Sequence, residues 1–193
     1  MLSYEESLKI LKETNALLEG HFILSSGLRS NQYVQCAKLL SYPEVAKIFC
    51  SSLCKKIKKN FNNITMILSP AIGGIVVGYE IGRQLGIETI FAERDNKELI
   101  LRRGFNIKKN SNVLVVEDVI TTGKSALECS TLVNNYSSNI IGYACLIDRS
   151  NNKSLIQDNI VSQIKLNIET FKENEIPDYL KKITPIKPGS RKL

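Results

Sequence analysis

The chain has 193 residues, of which 43% are hydrophobic, and a formal net charge of +7. This length suits one domain with a sizeable core; no apolar run approaches the roughly 20 residues that span a bilayer, and the acidic N-terminus lacks the features of a signal peptide. We therefore expect a cytoplasmic protein with no membrane partner. The basic residues are dispersed without a nucleic-acid motif, so we expect no nucleic acid either. Five cysteines, an odd number, argue against a disulfide framework.

The first part of the chain predicts a helix followed by a hairpin. Apolar residues recur at helical spacing over residues 3–18, and Gly20 would end that helix. Residues 20–35 then form two short alternating runs around a Ser-Ser-Gly turn, which predicts a small hairpin. His21, the only histidine, is interpreted as a structural residue.

The next stretch predicts a helix, a core strand and a glycine-containing loop. Pro43 suits the first turn of a helix that runs to about Asn60, and Cys50 and Cys54 fit a half-buried face of it better than a metal pair. Residues 64–68 predict a buried strand, and Ser69-Pro70-Ala71-Ile72-Gly73-Gly74 leads into a helix over residues 75–85. Glycines at a strand end let the backbone approach a ligand closely. The alternative is an ordinary helix start with a Gly-Gly turn.

A long basic segment follows a short strand over residues 88–92. Residues 93–112 carry six cations, and connections of this length are usually functional lids or disordered. Leu99-Ile100-Leu101 and Phe105 suggest a β-ribbon or partial order within it. A solvated basic loop is the alternative.

Residues 113–125, Val-Leu-Val-Val-Glu-Asp-Val-Ile-Thr-Thr-Gly-Lys-Ser, are the most informative stretch. Four apolar residues predict a strand buried on both faces, and residues 125–135 predict the helix after it. Gly123-Lys124-Ser125 is not the end of a Walker A loop, because that motif needs glycine where Asp118 stands. Loop amides at a helix N-terminus form an anion cradle, so the two acids beside it should bind sugar hydroxyls, Mg²⁺ or both.

The remaining elements complete an α/β pattern. Residues 140–147 predict a strand that ends in Asp148-Arg149, and a surface arginine is the alternative to a functional one. Residues 151–165 predict a helix followed by a strand over residues 163–168. Strands and helices alternate over residues 64–148, which predicts a doubly wound parallel sheet.

Several of these motifs together resemble one family. Residues 113–125 resemble the ribose-phosphate motif of the type I phosphoribosyltransferases. The segment over residues 20–35 resembles the small N-terminal hood of the orotate-specific members, and the tail over residues 183–191 matches one shorter bacterial-type branch. The resemblance implies one phosphoribosyltransferase domain over residues 1–193, with a hood at about 1–40, a C-terminal contribution to it, and a core at about 60–150.

The resemblance also implies an activity and a set of site residues. The activity is transfer of a phosphoribosyl group from 5-phosphoribosyl 1-pyrophosphate to orotate, with Mg²⁺ held mainly by the substrate. Catalytic roles fall to Glu117, Asp118, Arg94, Lys97, Arg102 and Arg103. The phosphoribosyl group would contact Glu117, Asp118, Val119, Ile120, Thr121, Thr122, Gly123, Lys124 and Ser125. Pyrophosphate would contact Ala71, Ile72, Gly73 and Arg94, with a cis peptide between Ala71 and Ile72. Orotate would contact Ser25, Tyr33, Thr121 and Arg149.

The resemblance further implies a homodimer in which the loop over residues 94–109 reaches the neighbouring site. The chain departs from other branches at Ser25 and Gly73, where those branches have lysines. Three alternatives remain open: a purine-specific phosphoribosyltransferase, a regulatory protein that binds RNA or DNA with this fold, and a ribose-phosphate kinase.

Overall fold

The computed structural model describes residues 1–24, 26–96, 98–151 and 153–188. Over these residues the chain forms six α-helices and nine strands. The helices are α1 Tyr4–Glu13, α2 Cys36–Leu40, α3 Pro43–Asn60, α4 Gly73–Leu85, α5 Lys124–Asn135 and α6 Asp178–Lys181. The strands are β1 Leu17–Ile23, β2 Arg29–Val34, β3 Met66–Pro70, β4 Thr89–Asp95, β5 Glu98–Leu101, β6 Asn112–Ile120, β7 Asn139–Asp148, β8 Ile160–Lys165 and β9 Thr170–Phe171. No helix among the described residues is both long and apolar enough to cross a membrane.

The larger sheet has six strands in the order β5-β4-β3-β6-β7-β8. Its pairings are parallel except that β5 forms an antiparallel ribbon with β4. Leu114 and Val116 pack in the core with residues of α3 and α4, whereas Val113 and Val115 pack with residues of α5. Successive strand residues point to opposite faces, so the apolar run of β6 is buried under helices on both sides. The prediction of a mostly parallel α/β sheet is confirmed.

Helix α4 lies unusually close to the sheet along a line of glycines. A Cβ atom at Gly78 would come within 2.1 Å of Ser69 Oγ, and one at Gly82 within 1.8 Å of Thr89 Oγ1. Any side chain at either position would therefore push the helix off β3 and β4. This packing holds the first turn of α4 beside the carboxyl end of β3.

A second sheet, β1-β2-β9, forms what we call the hood. Strands β1 and β2 pair antiparallel, which confirms the predicted hairpin. Residue Ile186 exchanges two main-chain hydrogen bonds of 2.8 Å with β1, and His21 Nδ1 lies 3.0 Å from the Ile183 carbonyl. The buried His21 thus joins the hood to the end of the described chain. Residues 189–191 of the predicted tail motif lie outside the described residues.

Several predicted boundaries are wrong. Helix α1 ends at Glu13 rather than at residue 18, because Asn15 adopts a left-handed φ of 54° and the following leucines enter β1. The helix expected after residue 150 does not form in the described residues 153–159, and the last sheet strand is β8 rather than residues 163–168. Part of the basic segment forms the antiparallel β4–β5 ribbon, which confirms the β-ribbon interpretation. All five cysteines are buried free thiols.

Candidate active site

The two acids lie where β6 extends beyond its neighbour β3. The β3–β6 pairing ends at Leu68 with Val115, whereas β6 continues along β7 until Ile120 pairs with Asp148. Glu117 and Asp118 are therefore on the strand rather than in the loop after it. That stretch of β6 has a partner on one side and a space on the other, which is the position of ligand sites in open parallel sheets.

The loop between β3 and α4 fills part of this space. The peptide between Ala71 and Ile72 is cis, as predicted. A Cβ atom at Gly73 would lie 2.6 Å from Oδ2 and 2.7 Å from Oδ1 of Asp118. Only glycine therefore allows the Asp118 carboxylate to lie against this loop, and the structure brings the two predicted parts of the site into direct contact.

Burial changes the protonation of both acids. Burial, followed by the charge of Asp118, raises the pKa of Glu117 to about 8, although a hydrogen bond with Ser125 opposes the shift. Burial also raises the pKa of Asp118, against the effect of the main-chain N–H groups of Val119 and Asp118 itself. Glu117 consequently retains its proton near neutral pH and can donate a hydrogen bond.

The loop after β6 leads directly into α5. We call Thr121–Ser125 the phosphate loop. Thr121, Thr122 and Lys124 are exposed, and Gly123 has a left-handed φ of 78° at the N-cap of the 12-residue helix. The first amides of a helix have no acceptor within it, so the N-terminus of α5 offers donors and a positive dipole end to an anion. The predicted cradle has the expected position at the sheet edge.

The basic residues of the ribbon fall into two groups. Arg94 pairs with Glu128 of α5, a carboxylate that also lies 4.0 Å from Lys124 Nζ. Arg103 instead turns back onto the ribbon, where it donates two hydrogen bonds of 2.9 Å to Glu93. Of the predicted lid cations, Arg94 thus lies beside the phosphate loop, and Arg103 is occupied within the ribbon.

The other two predicted lid cations are Arg102 and Lys97. Arg102 is exposed directly after the end of β5, and Lys97 lies outside the described residues. Sequence reasoning did not identify Glu128. Its spacing of four residues from Lys124 on a helix was the available signal.

Two of the residues predicted to bind a base, Tyr33 of the hood and Arg149 after β7, lie within electrostatic range of each other. Burial lowers the pKa of the Arg149 guanidinium and raises that of the Tyr33 phenol. The Tyr33 hydroxyl donates to Gln35 Oε1 at 3.0 Å, and its ring centroid lies 5.7 Å from that of Phe22. Within the described part of the chain, the buried Nε of Arg149 has no hydrogen-bond partner. A buried guanidinium with an unused donor is suited to a carboxylate ligand.

The base-side residues are continuous with the phosphate loop. The Arg149 main-chain N–H donates to the Ile120 carbonyl at 2.8 Å, so Arg149 is fixed to the residue that precedes Thr121. Ser25, the remaining residue predicted on this side, lies outside the described residues.

Comparison with known proteins agrees with this geometry. The phosphoribosyl transferase domain family matches residues 39–181. The chain belongs to the phosphoribosyltransferase family.

Within that family, the chain is similar over its full length to proteins named orotate phosphoribosyltransferase. It is 44% identical over 189 residues to the orotate phosphoribosyltransferase of Thermoanaerobacter sp. (strain X514), with 98% of each chain covered. The crystal structure of orotate phosphoribosyltransferase from Aeropyrum pernix superposes with a TM-score of 0.70 at 23% identity, covering 82% of this chain and 92% of that one. An adenine phosphoribosyltransferase structure from Thermoanaerobacter pseudethanolicus gives a TM-score of 0.61 at 17% identity, covering 70% and 88%. The fold is therefore common to enzymes of different bases, and the base must be argued from the site.

Proposed function

We propose that the protein transfers the 5-phosphoribosyl group from 5-phosphoribosyl 1-pyrophosphate to orotate, giving orotidine 5′-monophosphate and pyrophosphate in de novo pyrimidine synthesis. The observation that carries this proposal is the close approach of the Asp118 carboxylate to the β3–α4 loop at Gly73, next to a helix N-terminus suited to phosphate. Full-length similarity to proteins named orotate phosphoribosyltransferase supports the choice of base.

The acids act on the ribose in this proposal. Cleavage of the bond between C1 and pyrophosphate builds positive charge on the sugar. Glu117 and Asp118 hold the ribose hydroxyls, and the Asp118 carboxylate faces the developing cation and stabilises it electrostatically. The phosphate loop, Thr121 to Ser125 with the preceding Val119 and Ile120, fixes the 5′-phosphate and so orients C1 toward the base. No protein nucleophile is required.

The leaving pyrophosphate binds at Ala71, Ile72 and Gly73, and Arg94 closes over it. Arg94 pairs with Glu128, so pyrophosphate would take the place of a carboxylate that neutralises this arginine. Exchange of Glu128 for pyrophosphate keeps the Arg94 guanidinium paired with an anion both before and after pyrophosphate binds. Lys97, Arg102 and Arg103 are the further candidates for this role.

The site fits Mg²⁺ only together with substrate oxygens. Glu117 and Asp118 offer carboxylate oxygens, which Mg²⁺ prefers. Among the described residues no cluster of three or more His, Cys, Asp or Glu side chains could hold a metal ion. When bound with the substrate, Mg²⁺ would neutralise negative charge on the pyrophosphate.

Arg149 and Tyr33 recognise the base. Orotate carries a carboxylate that adenine, hypoxanthine and uracil lack, and the planar fork of arginine matches a carboxylate. The unpartnered Nε of Arg149 is available for this contact. Ser25 and Thr121 complete the contacts to orotate in this proposal, and the hood covers the base.

The proposal includes a cytoplasmic homodimer in which the loop over residues 94–109 reaches the neighbouring site. On one face of α4 and the residue before it, Ile72, Val76 and Tyr79 are 85%, 50% and 64% exposed. Their spacing of four and three residues makes a continuous apolar stripe, which supports burial against a second copy. The hood and core act as one phosphoribosyltransferase domain.

Orotate consumption tests the function directly. We expect loss of orotate absorbance when the protein is incubated with Mg²⁺, 5-phosphoribosyl 1-pyrophosphate and orotate. Adenine, hypoxanthine and uracil serve as control bases and should not react. Reaction with a purine alone would assign a different base, and RNA binding without any transfer would refute an enzymatic role.

A further inference from the structure

A segment that no motif singled out lies against the phosphate loop. The Leu155 main-chain N–H donates to the Thr122 carbonyl at 2.9 Å. A Cβ atom at Gly123 would lie 2.8 Å from both Ile156 Cγ1 and Ser154 Oγ. Residues 153–156 therefore contact the loop at two successive positions. This is the stretch where the sequence predicted a helix, and its irregular backbone is what allows these contacts.

The hydrogen bond from Leu155 orients an amide of the loop. The carbonyl of Thr122 and the N–H of Gly123 belong to one planar trans peptide and point in opposite directions. Because the carbonyl points to Leu155, the Gly123 N–H points away from residues 153–156. Amides that bind an anion must point toward a common centre, and this contact sets the direction of one of them.

Packing of Ile156 fixes the position of the same peptide. Its side chain is only 6% exposed and belongs to a core cluster with Ala126 and Cys129 of α5. It occupies the volume that a side chain at residue 123 would need. The Ile156 side chain thus packs against the phosphate loop and also against α5, the helix that follows the loop.

We propose that Ile156 is a positioning residue for the sugar 5′-phosphate, acting through Gly123 together with the main chain of Leu155. The proposal rests on the proposed function only in taking the phosphate loop as the site of a sugar phosphate. Ile156 does not touch the ligand. Its role is to keep the loop amides in the orientation that binds a phosphate monoester, so its loss lowers affinity for the phosphate rather than for the base.

Binding of ribose 5-phosphate, measured by calorimetry on the full chain, tests this role. Ile156→Ala is expected to raise the Kd for ribose 5-phosphate about tenfold, since small displacements of binding groups are costly. Ile156→Val, which keeps the branched Cβ, should give an intermediate Kd.

A control variant separates positioning from general destabilisation. Ile160→Ala removes the same atoms from a residue that packs on the same core cluster, but at the start of β8, paired with Tyr143. It should leave the Kd unchanged.

The outcomes distinguish this proposal from the proposed function. An unchanged Kd in a folded Ile156→Ala protein, or an equal loss in Ile160→Ala, overturns the positioning role. If Ile156→Ala does not fold, an unchanged Kd in Ile156→Val overturns it instead. A wild-type protein that binds ribose 5-phosphate, shows the expected series and yet does not consume orotate would refute the orotate assignment and leave the positioning role standing.

Discussion

The raised pKa of Glu117 predicts a pH-dependent stability difference for Glu117→Gln. Glutamine resembles the protonated carboxyl in shape and can still interact with Ser125, but it does not titrate. In the wild type the pKa is about 8 in the folded state, against an ordinary value of 4.5. Between these two values the folded state binds more protons than the unfolded state, so the free energy of unfolding falls as pH rises.

The magnitude follows from the width of that interval. One pKa unit corresponds to about 1.4 kcal/mol, so the two and a half units from pH 4.5 to pH 7 amount to about 3 kcal/mol. The stability of Glu117→Gln relative to wild type should therefore rise by about 3 kcal/mol between these two pH values. Groups that do not interact with Glu117 titrate alike in both proteins and cancel in the difference.

Urea unfolding followed by circular dichroism at several pH values measures this difference. Glu80→Gln is the matched control, because a hydrogen bond from Arg83 lowers the pKa of Glu80. The Glu80 contribution is present above its ordinary pKa and is lost at lower pH, so this variant should gain no stability as pH rises to 7. A Glu117→Gln difference that stays constant over the range would refute the assignment of a buried, protonated acid.

Three further substitutions test the site. Asp118→Asn should lower turnover about a hundredfold with the fold intact, because the charge that stabilises the ribose cation is lost; unchanged kcat by orotate absorbance would remove Asp118 from the reaction. Arg149→Ala should raise the KM for orotate by about ten- to a hundredfold, the equivalent of one charged hydrogen bond or more, and equal effects on both substrates would contradict a contact with the base carboxylate. Gly73→Ala should displace the Asp118 carboxylate, which lies 2.6 Å from the new Cβ position, and reduce kcat about tenfold; full activity would show that this contact is dispensable.

Local motifs predicted the strand, the loop and the helix that carry the candidate site. The strand, the acids and the loop over residues 113–125 are contiguous in the sequence. The apolar run, the carboxylates and the helix start can therefore each be recognised from neighbouring residues alone. The close approach of Gly73 to Asp118 was not predicted, because it depends on the strand order that places β3 beside β6. Alternation of strands and helices was sufficient to predict the sheet.

Contacts between distant segments were not predictable in the same way. The pairing of Arg103 with Glu93 depends on the register of the β4–β5 ribbon, and that of Arg94 with Glu128 depends on how the ribbon lies on α5. Apolar Leu155 and Ile156 looked like part of a helix, but a hydrogen bond to Thr122 and burial beside Gly123 determine their conformation. Tertiary contacts outweighed local propensity there.

The hood combines segments from the two ends of the chain, and this sequence separation affects when it can form during folding. The contact of His21 with Ile183 spans 162 residues, and that of Ser30 with Glu169 spans 139. Closing loops of this length costs entropy before any contact compensates for it, whereas β3, α4 and β4 are neighbours along the chain. The larger sheet with its helices should therefore assemble before the complete hood. A nascent chain that ends before β9 would already have its phosphate loop and acids. It would lack the complete hood and could therefore not select a base.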